Sequence, residues 1–221
     1  MLVKTFYLFR KFICIFLVAF FSILLTFEAN ANILKDSLIK NLSFDSVKSL
    51  QTKLDKSSTD FILSQILNLL DHNSNKQAIK LINQIEYSTD FQNNLLFKAN
   101  VLYYKSIALK SIGKLNESLQ CNYVVLKIAE NFKNHELMSK ALNTMANVEA
   151  NKGNYAKSIE YYFVSLKISE NINDSLAIAK VYNNIALVYN AIKEYSKALS
   201  FLDNALKISV SMNNKKITAS A

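Results

Sequence analysis

The sequence predicts an all-α fold, a solenoid of antiparallel helix pairs, and three observations lead there. The 221 residues include no proline and only two glycines, Gly113 and Gly153, so few positions break a helix. Similar segments recur at a fixed step of 40: Leu126-Lys127-Ile128-Ala129-Glu130-Asn131, Leu166-Lys167-Ile168-Ser169-Glu170-Asn171 and Leu206-Lys207-Ile208-Ser209. Within each step apolar residues return at intervals of three and four. Leu142, Met145 and Ala146 form one such stripe, and Ile159, Tyr162, Phe163 and Leu166 form the next. Glu149 interrupts the first stripe where the following unit has Tyr189.

From the N-terminus, Lys4, Arg10 and Lys11 precede an apolar run from Phe12 to Phe27, followed by Ala29-Asn30-Ala31. That order of charge, apolar core and small-x-small residues predicts a secretory signal over residues 1–31, cleaved after Ala31. The run of 16 residues is shorter than the roughly 20 that span a bilayer as a helix. The alternative is an uncleaved inner-membrane anchor over residues 6–27, because Phe6, Tyr7, Leu8 and Phe9 extend the apolar stretch. Either way the remainder is expected to be exported, to the periplasm or beyond.

Residues 32–58 lack a match to the repeat and are expected to form a helical lead. Stepping by 40 aligns Ala78, Ser118, Ser158 and Ala198, each followed by Ile79, Leu119, Ile159 and Leu199. Four units therefore follow, at 59–98, 99–138, 139–178 and 179–218. Residues 219–221 read as the opening of a further unit. No polar capping helix follows it, so a truncated piece of something longer is expected.

Inside the units, Gly113-Lys114, Lys152-Gly153-Asn154 and Lys193-Glu194 mark the turns between helices. A glycine there can adopt the left-handed conformation that ends a helix and lets the second helix fold back. Small residues at Ala146, Ser158, Ala186 and Ala198 let paired helices approach, with Tyr155 and Tyr195 expected to fill the gap beside them. Lys105 and Gln65 stand where apolar residues are expected.

The arrangement Ile185-Ala186, Tyr189, Tyr195, Ala198-Leu199 and Ala205-Leu206 resembles the tetratricopeptide repeat. Met145-Ala146, Gly153, Tyr155, Ser158-Ile159, Tyr162 and Leu166 resemble it again one unit earlier. Units of 40 are longer than that family's usual repeat, and are similar to the extended repeats of kinesin light chain and of bacterial peptide-sensing and kinase-linked regulators. The resemblance implies a right-handed superhelix whose first helices line a concave groove. The family's proline after the second helix is missing, so the turns between units are expected to be less sharply fixed than those within them.

On that resemblance the groove positions of the last two units are Lys140, Asn143, Asn147 and Asn151, then Lys180, Asn183, Asn184 and Asn190. Amide side chains can pair with peptide N–H and C=O groups alike, and ammonium groups attract a carboxylate. The pattern is similar to the clamp some members use on a C-terminal carboxylate. Asn and Lys are also abundant throughout the chain, and such residues settle on any exposed helix face.

Catalysis is not expected: His72 and His135 lie near turns in different units, without metal-ligand spacing, and no glycine-rich phosphate loop or nucleophile elbow exists. No cofactor is implied. Cys121 is the one cysteine beyond the signal, expected to be a small buried helix residue rather than a disulfide partner. The net charge of +9 falls to +7 once Lys4, Arg10, Lys11 and Glu28 leave with the signal. Arg10 is the single arginine and the lysines are scattered singly, so a nucleic-acid partner is not expected.

The expected partner is a protein or peptide held by an exported, non-catalytic scaffold. A homodimer through the uncapped last repeat is a second partner expectation. The alternative function is the truncated extracytoplasmic sensor region of a bacterial signalling protein, a histidine kinase or transcriptional regulator. A binder of anionic surfaces driven by the positive charge is a third reading.

Overall fold

Three helices, one in each of the last three pairs, begin where a side chain takes up a free backbone amide. Asn94, Asn134 and Asp174, spaced by 40, each accept a hydrogen bond at 3.0 Å from the amide three residues on, at Phe97, Leu137 and Ala177. The computed structural model describes residues 56–219, and for 56–58, Thr89 and 214–219 it describes the backbone. The signal segment 1–31 and nearly all of the lead 32–58 lie outside the described residues. The described chain forms α1 (Lys56–Asp71), α2 (Asn75–Ile85), α3 (Thr89–Asn93), α4 (Leu95–Ser111), α5 (Leu115–Asn131), α6 (His135–Asn151), α7 (Tyr155–Asn171), α8 (Ser175–Ala191) and α9 (Tyr195–Ala219).

From α4 to α8 every helix has 17 residues and every link has three, so the helices start every 20 residues from Leu95 to Tyr195. Each link closes in the same way. Its middle residue has positive φ, from +50° at Lys133 to +81° at Gly113, with Gly153, Asn173, Lys193 and Asn73 between. The middle amide donates back three residues and the next amide donates back five, as in Lys133 N to Glu130 O at 3.0 Å and Asn134 N to Ala129 O at 2.8 Å. These bonds satisfy carbonyls the helix end leaves open. The turns between units, at Lys133 and Asn173, are thus closed as firmly as those within them, which corrects the expectation drawn from the missing proline. A lysine or asparagine in the left-handed region does here what glycine does at 113 and 153.

The helix pairs start one turn ahead of the unit boundaries read at 99, 139 and 179, because the capping residues Asn94, Asn134 and Asp174 set the frame. The first pair departs from the pattern. Its second helix stops at Ile85, and Ser88 restarts the chain by accepting from the Phe91 amide at 3.2 Å. Lys105 is accommodated there by Glu86, at 2.7 Å between Nζ and Oε1.

Packing follows from the links. Within a pair, α4 lies on α5, α6 on α7 and α8 on α9; between pairs, α6 lies on α5 and α8 on α7. First helices also touch each other, α4 to α6 and α6 to α8, whereas second helices make no contact of comparable extent with one another. They meet through long side chains, Tyr123 to Tyr161 at 3.2 Å between hydroxyls and Phe163 edge-on to Phe201. The first helices therefore line the tighter inner side of the α-solenoid, and Phe163, expected in the core stripe, lies on the outer side.

Ala146, Ser158, Ala186 and Ala198 are buried where the paired helices approach. Tyr155 packs into the core beside them, but Tyr195, expected to fill the same gap one unit later, is 57% exposed among the described residues. Cys121 is half-buried against the α4–α5 core, and burial pushes its thiol up. Glu149 is 1% exposed and is held by the Asn154 amide at 2.7 Å and the Lys157 ammonium at 3.2 Å. Burial pushes its carboxyl up, but the Asn154 and Lys157 contacts outweigh that and hold it below the usual carboxylate range.

Two measurements check this account. Gly113→Ala places a Cβ in open space but in left-handed backbone, so it should cost about 1 kcal/mol in urea unfolding, while Lys133→Gly should gain up to about 1 kcal/mol. Because the folded Glu149 carboxyl is depressed, its stabilisation is present above about pH 4.3, the ordinary carboxyl value, and is lost as pH falls further. Wild type should thus lose more stability than Glu149→Gln between neutral and strongly acidic pH; equal losses would contradict the pairing.

Candidate functional site

The inner face is built from side chains that the helix period turns away from the second helices. At its α4 end the rings of Tyr103 and Tyr104 lie 5.4 Å apart, and burial pushes both hydroxyls up. Next along, on α6, Lys140 is paired with Glu136 one turn before it. Burial works against the Lys140 charge, but the Glu136 carboxylate outweighs it and holds the ammonium above its ordinary value. Lys140 is thus already neutralised within its own helix.

Asn147 is also committed. Its amide donates to the Asn143 carbonyl at 2.8 Å, and its Oδ1 accepts at 3.0 Å from the hydroxyl of Tyr162. Tyr162 is buried, and that burial pushes its hydroxyl up to about 12. Asn147 is therefore the hydrogen-bond partner of a core tyrosine. Asn151 and Asn190 sit exposed in the last turns of α6 and α8.

The remaining four candidates come together. Asn143, Lys180, Asn183 and Asn184 line one groove of about 560 Å³, where Asn184 donates to Asn143 Oδ1 at 3.0 Å across α6 and α8. Among the described residues, Lys180 and Asn183 are exposed and make no side-chain hydrogen bond or ion pair within the chain. Asn143 keeps its Nδ2 and Asn184 its Oδ1 for a ligand. One wall of the groove thus offers an ammonium, an open amide and the two spare ends of an amide pair.

The opposite wall was missed from sequence. It consists of Leu202, Ala205, Leu206 and Ser209 of α9, with Leu176 and Ala179 of α8 at the edge. A signal for it exists: Leu176 replaces Glu136 of the preceding unit, which removes the carboxylate that would neutralise Lys180. His72 and His135 stand apart, His72 bonded at 2.8 Å to the Asn68 carbonyl just beyond α1 and His135 opening α6. Among the described residues no helix is long and apolar enough to cross a membrane.

Comparison with known proteins places this geometry. Residues 136–209 match the sequence model of the tetratricopeptide repeat. No curated protein matches the chain in sequence. Among solved structures, aspartyl phosphate phosphatase F from Bacillus subtilis is similar at 12% identity and a TM-score of 0.62, over 76% of this chain and 44% of that one. A Rap protein in complex with Competence and Sporulation Factor is similar at 14% identity and a TM-score of 0.65, over 76% of this chain and 48% of that one. This chain therefore spans less than half the length of these two. MamA is similar at 14% identity and a TM-score of 0.54, over 85% of this chain and 98% of that one. At these identities the likeness is one of fold.

The division of the inner face is open to test. Asn147→Ala should orphan the buried Tyr162 hydroxyl and cost about 1–3 kcal/mol in urea unfolding, whereas Asn183→Ala should change stability by less than about 0.5 kcal/mol. Equal effects would contradict the assignment of Asn147 to the core and Asn183 to the groove.

Proposed function

Over residues 136–209 this chain is a tetratricopeptide-repeat protein, and from that premise we propose that it is a non-catalytic scaffold that binds a partner polypeptide in the groove between α8 and α9. The observation that carries the reading is the pairing in one groove of an unneutralised ammonium, Lys180, with an open amide, Asn183, facing an apolar wall. A polypeptide offers what such a groove can use: backbone N–H and C=O groups for the amides, a carboxylate for Lys180, and apolar side chains for Leu202 and Leu206. The Rap structure in complex with Competence and Sporulation Factor supports the reading, since a similar fold there holds a separate molecule. Export follows from the sequence pattern of residues 1–31, so the reading puts the partner outside the cytoplasm.

The test uses the full chain and a fluorescent library of short peptides, each made with a free and with an amidated C-terminus. Free-acid peptides should bind, and Lys180→Ala with Asn183→Ala should weaken them about tenfold or more while the helical circular dichroism stays unchanged. Binding that ignores both substitutions would overturn the groove assignment.

A further inference from the structure

Outer-face positions repeat as inner-face ones do, and on two interior helices they are apolar. On α5 Tyr123 and Val124 are 47% and 43% exposed, and on α7 Phe163 and Val164, 40 residues on, are 43% and 49% exposed. Polar residues bound this patch on both sides. The same positions hold Asn83 and Gln84 on α2, and Asp203 and Asn204 on α9. Along each helix the two flanks differ. Gln120 and Glu160 stand three residues before Tyr123 and Phe163, and Lys127 and Lys167 stand three residues after Val124 and Val164, close to one turn in each case. All four flanking residues are exposed and, among the described residues, make no side-chain hydrogen bond or ion pair within the chain.

We infer that a second copy of this chain docks on this outer face, α5 antiparallel on its α5 and α7 antiparallel on its α7, about a two-fold axis that crosses both helices at the middle of the patch. The order of the side chains carries the inference. A two-fold interface sets residue i against j and j against i. Because the flanks lie equally far from the middle of the patch, this axis sets Lys167 against Glu160 of the second copy and Glu160 against its Lys167, with Lys127 against Gln120 in both directions. Tyr123, Val124, Phe163 and Val164 then meet their own counterparts and leave water together. An axis running along the helices would instead set α5 on the other copy's α7 and bring Lys127 against Lys167, like on like. Glu160, with Glu130 and Glu170 exposed on the same two helices, sets carboxylates beside the patch, which works against an anionic lipid surface as its occupant. The patch lies on the outer side of the solenoid and the proposed peptide groove on its inner side, so neither reading needs the other.

Sedimentation of the full chain from micromolar to millimolar concentration tests this. The patch is small for an interface, so a monomer–dimer equilibrium with Kd on the order of 10–100 µM is expected. Val124→Asp with Val164→Asp should weaken the dimer about 100-fold, because it would bury carboxylates against each other. Both positions are exposed, so the variant should keep its helical circular dichroism. Lys167→Glu and Glu160→Lys should each weaken the dimer about tenfold, since each sets like charges face to face. Mixed together, these two variants should pair as tightly as wild type, because every facing charge is again opposite. A monomer at every concentration overturns the inference, as does a dimer that the two aspartates leave intact. Charge-reversed variants that dimerise as well as wild type, or that fail to pair when mixed, overturn the two-fold arrangement and the inference with it. Binding to phosphatidylserine vesicles by a chain that stays monomeric, abolished by the two aspartates, would assign the patch to a membrane and overturn the second copy.

Discussion

The structure depends on one backbone device, a residue in left-handed conformation in the middle of every three-residue link. Gly113, Lys133, Gly153, Asn173 and Lys193 all hold positive φ, and each is followed by an amide that reaches back five residues. The device stops a helix after a fixed length and reverses it through a fixed angle. Because it recurs every 20 residues, side chains 40 apart present the same face to the same neighbour. Core and inner face both follow from that register.

Given the register, several buried polar groups find their partners on the neighbouring helix. Ser106 donates to Asn122 at 3.1 Å, and Ser118 donates to the Ser106 carbonyl at 2.8 Å, which ties α4 to α5. Ser139 meets Ser165 and Ser169 at 3.0 and 2.6 Å, which ties α6 to α7. Glu149 takes the place of an aromatic in the next unit and is matched by Asn154 and Lys157 on the link and helix that follow. Such bonds need partners at fixed distances, so they hold the helix pairs to one arrangement and leave the inner-face amides free to differ between units.

Much of this was legible in the sequence. The recurring Leu-Lys-Ile segments located the helix pairs, and the small residues from Ala78 to Ala198 located their close approach. What stayed hidden has physical reasons. Lys133 and Asn173 carry the conformation of glycine without its signature, so the step of 20 was obscured behind the step of 40. Asn94, Asn134 and Asp174 act as caps, but asparagine is common enough here that capping and groove roles look alike. Asn147 proved to be spoken for because its partner, Tyr162, lies 15 residues away on another helix. The apolar wall of the groove depends on how Leu202, Ala205 and Leu206 of α9 pack beside α8, and a residue pattern alone carries no such information.

The link device is tested most directly by native-state hydrogen exchange at the amides that make the five-residue bonds: Lys114, Asn134, Asn154 and Asp174. The account predicts that Asn134 and Asp174, between units, are protected to the same degree as Lys114 and Asn154, within them. Exchange at Asn134 and Asp174 as fast as in an unstructured peptide would show that the units are hinged, and would remove the common register on which the groove depends.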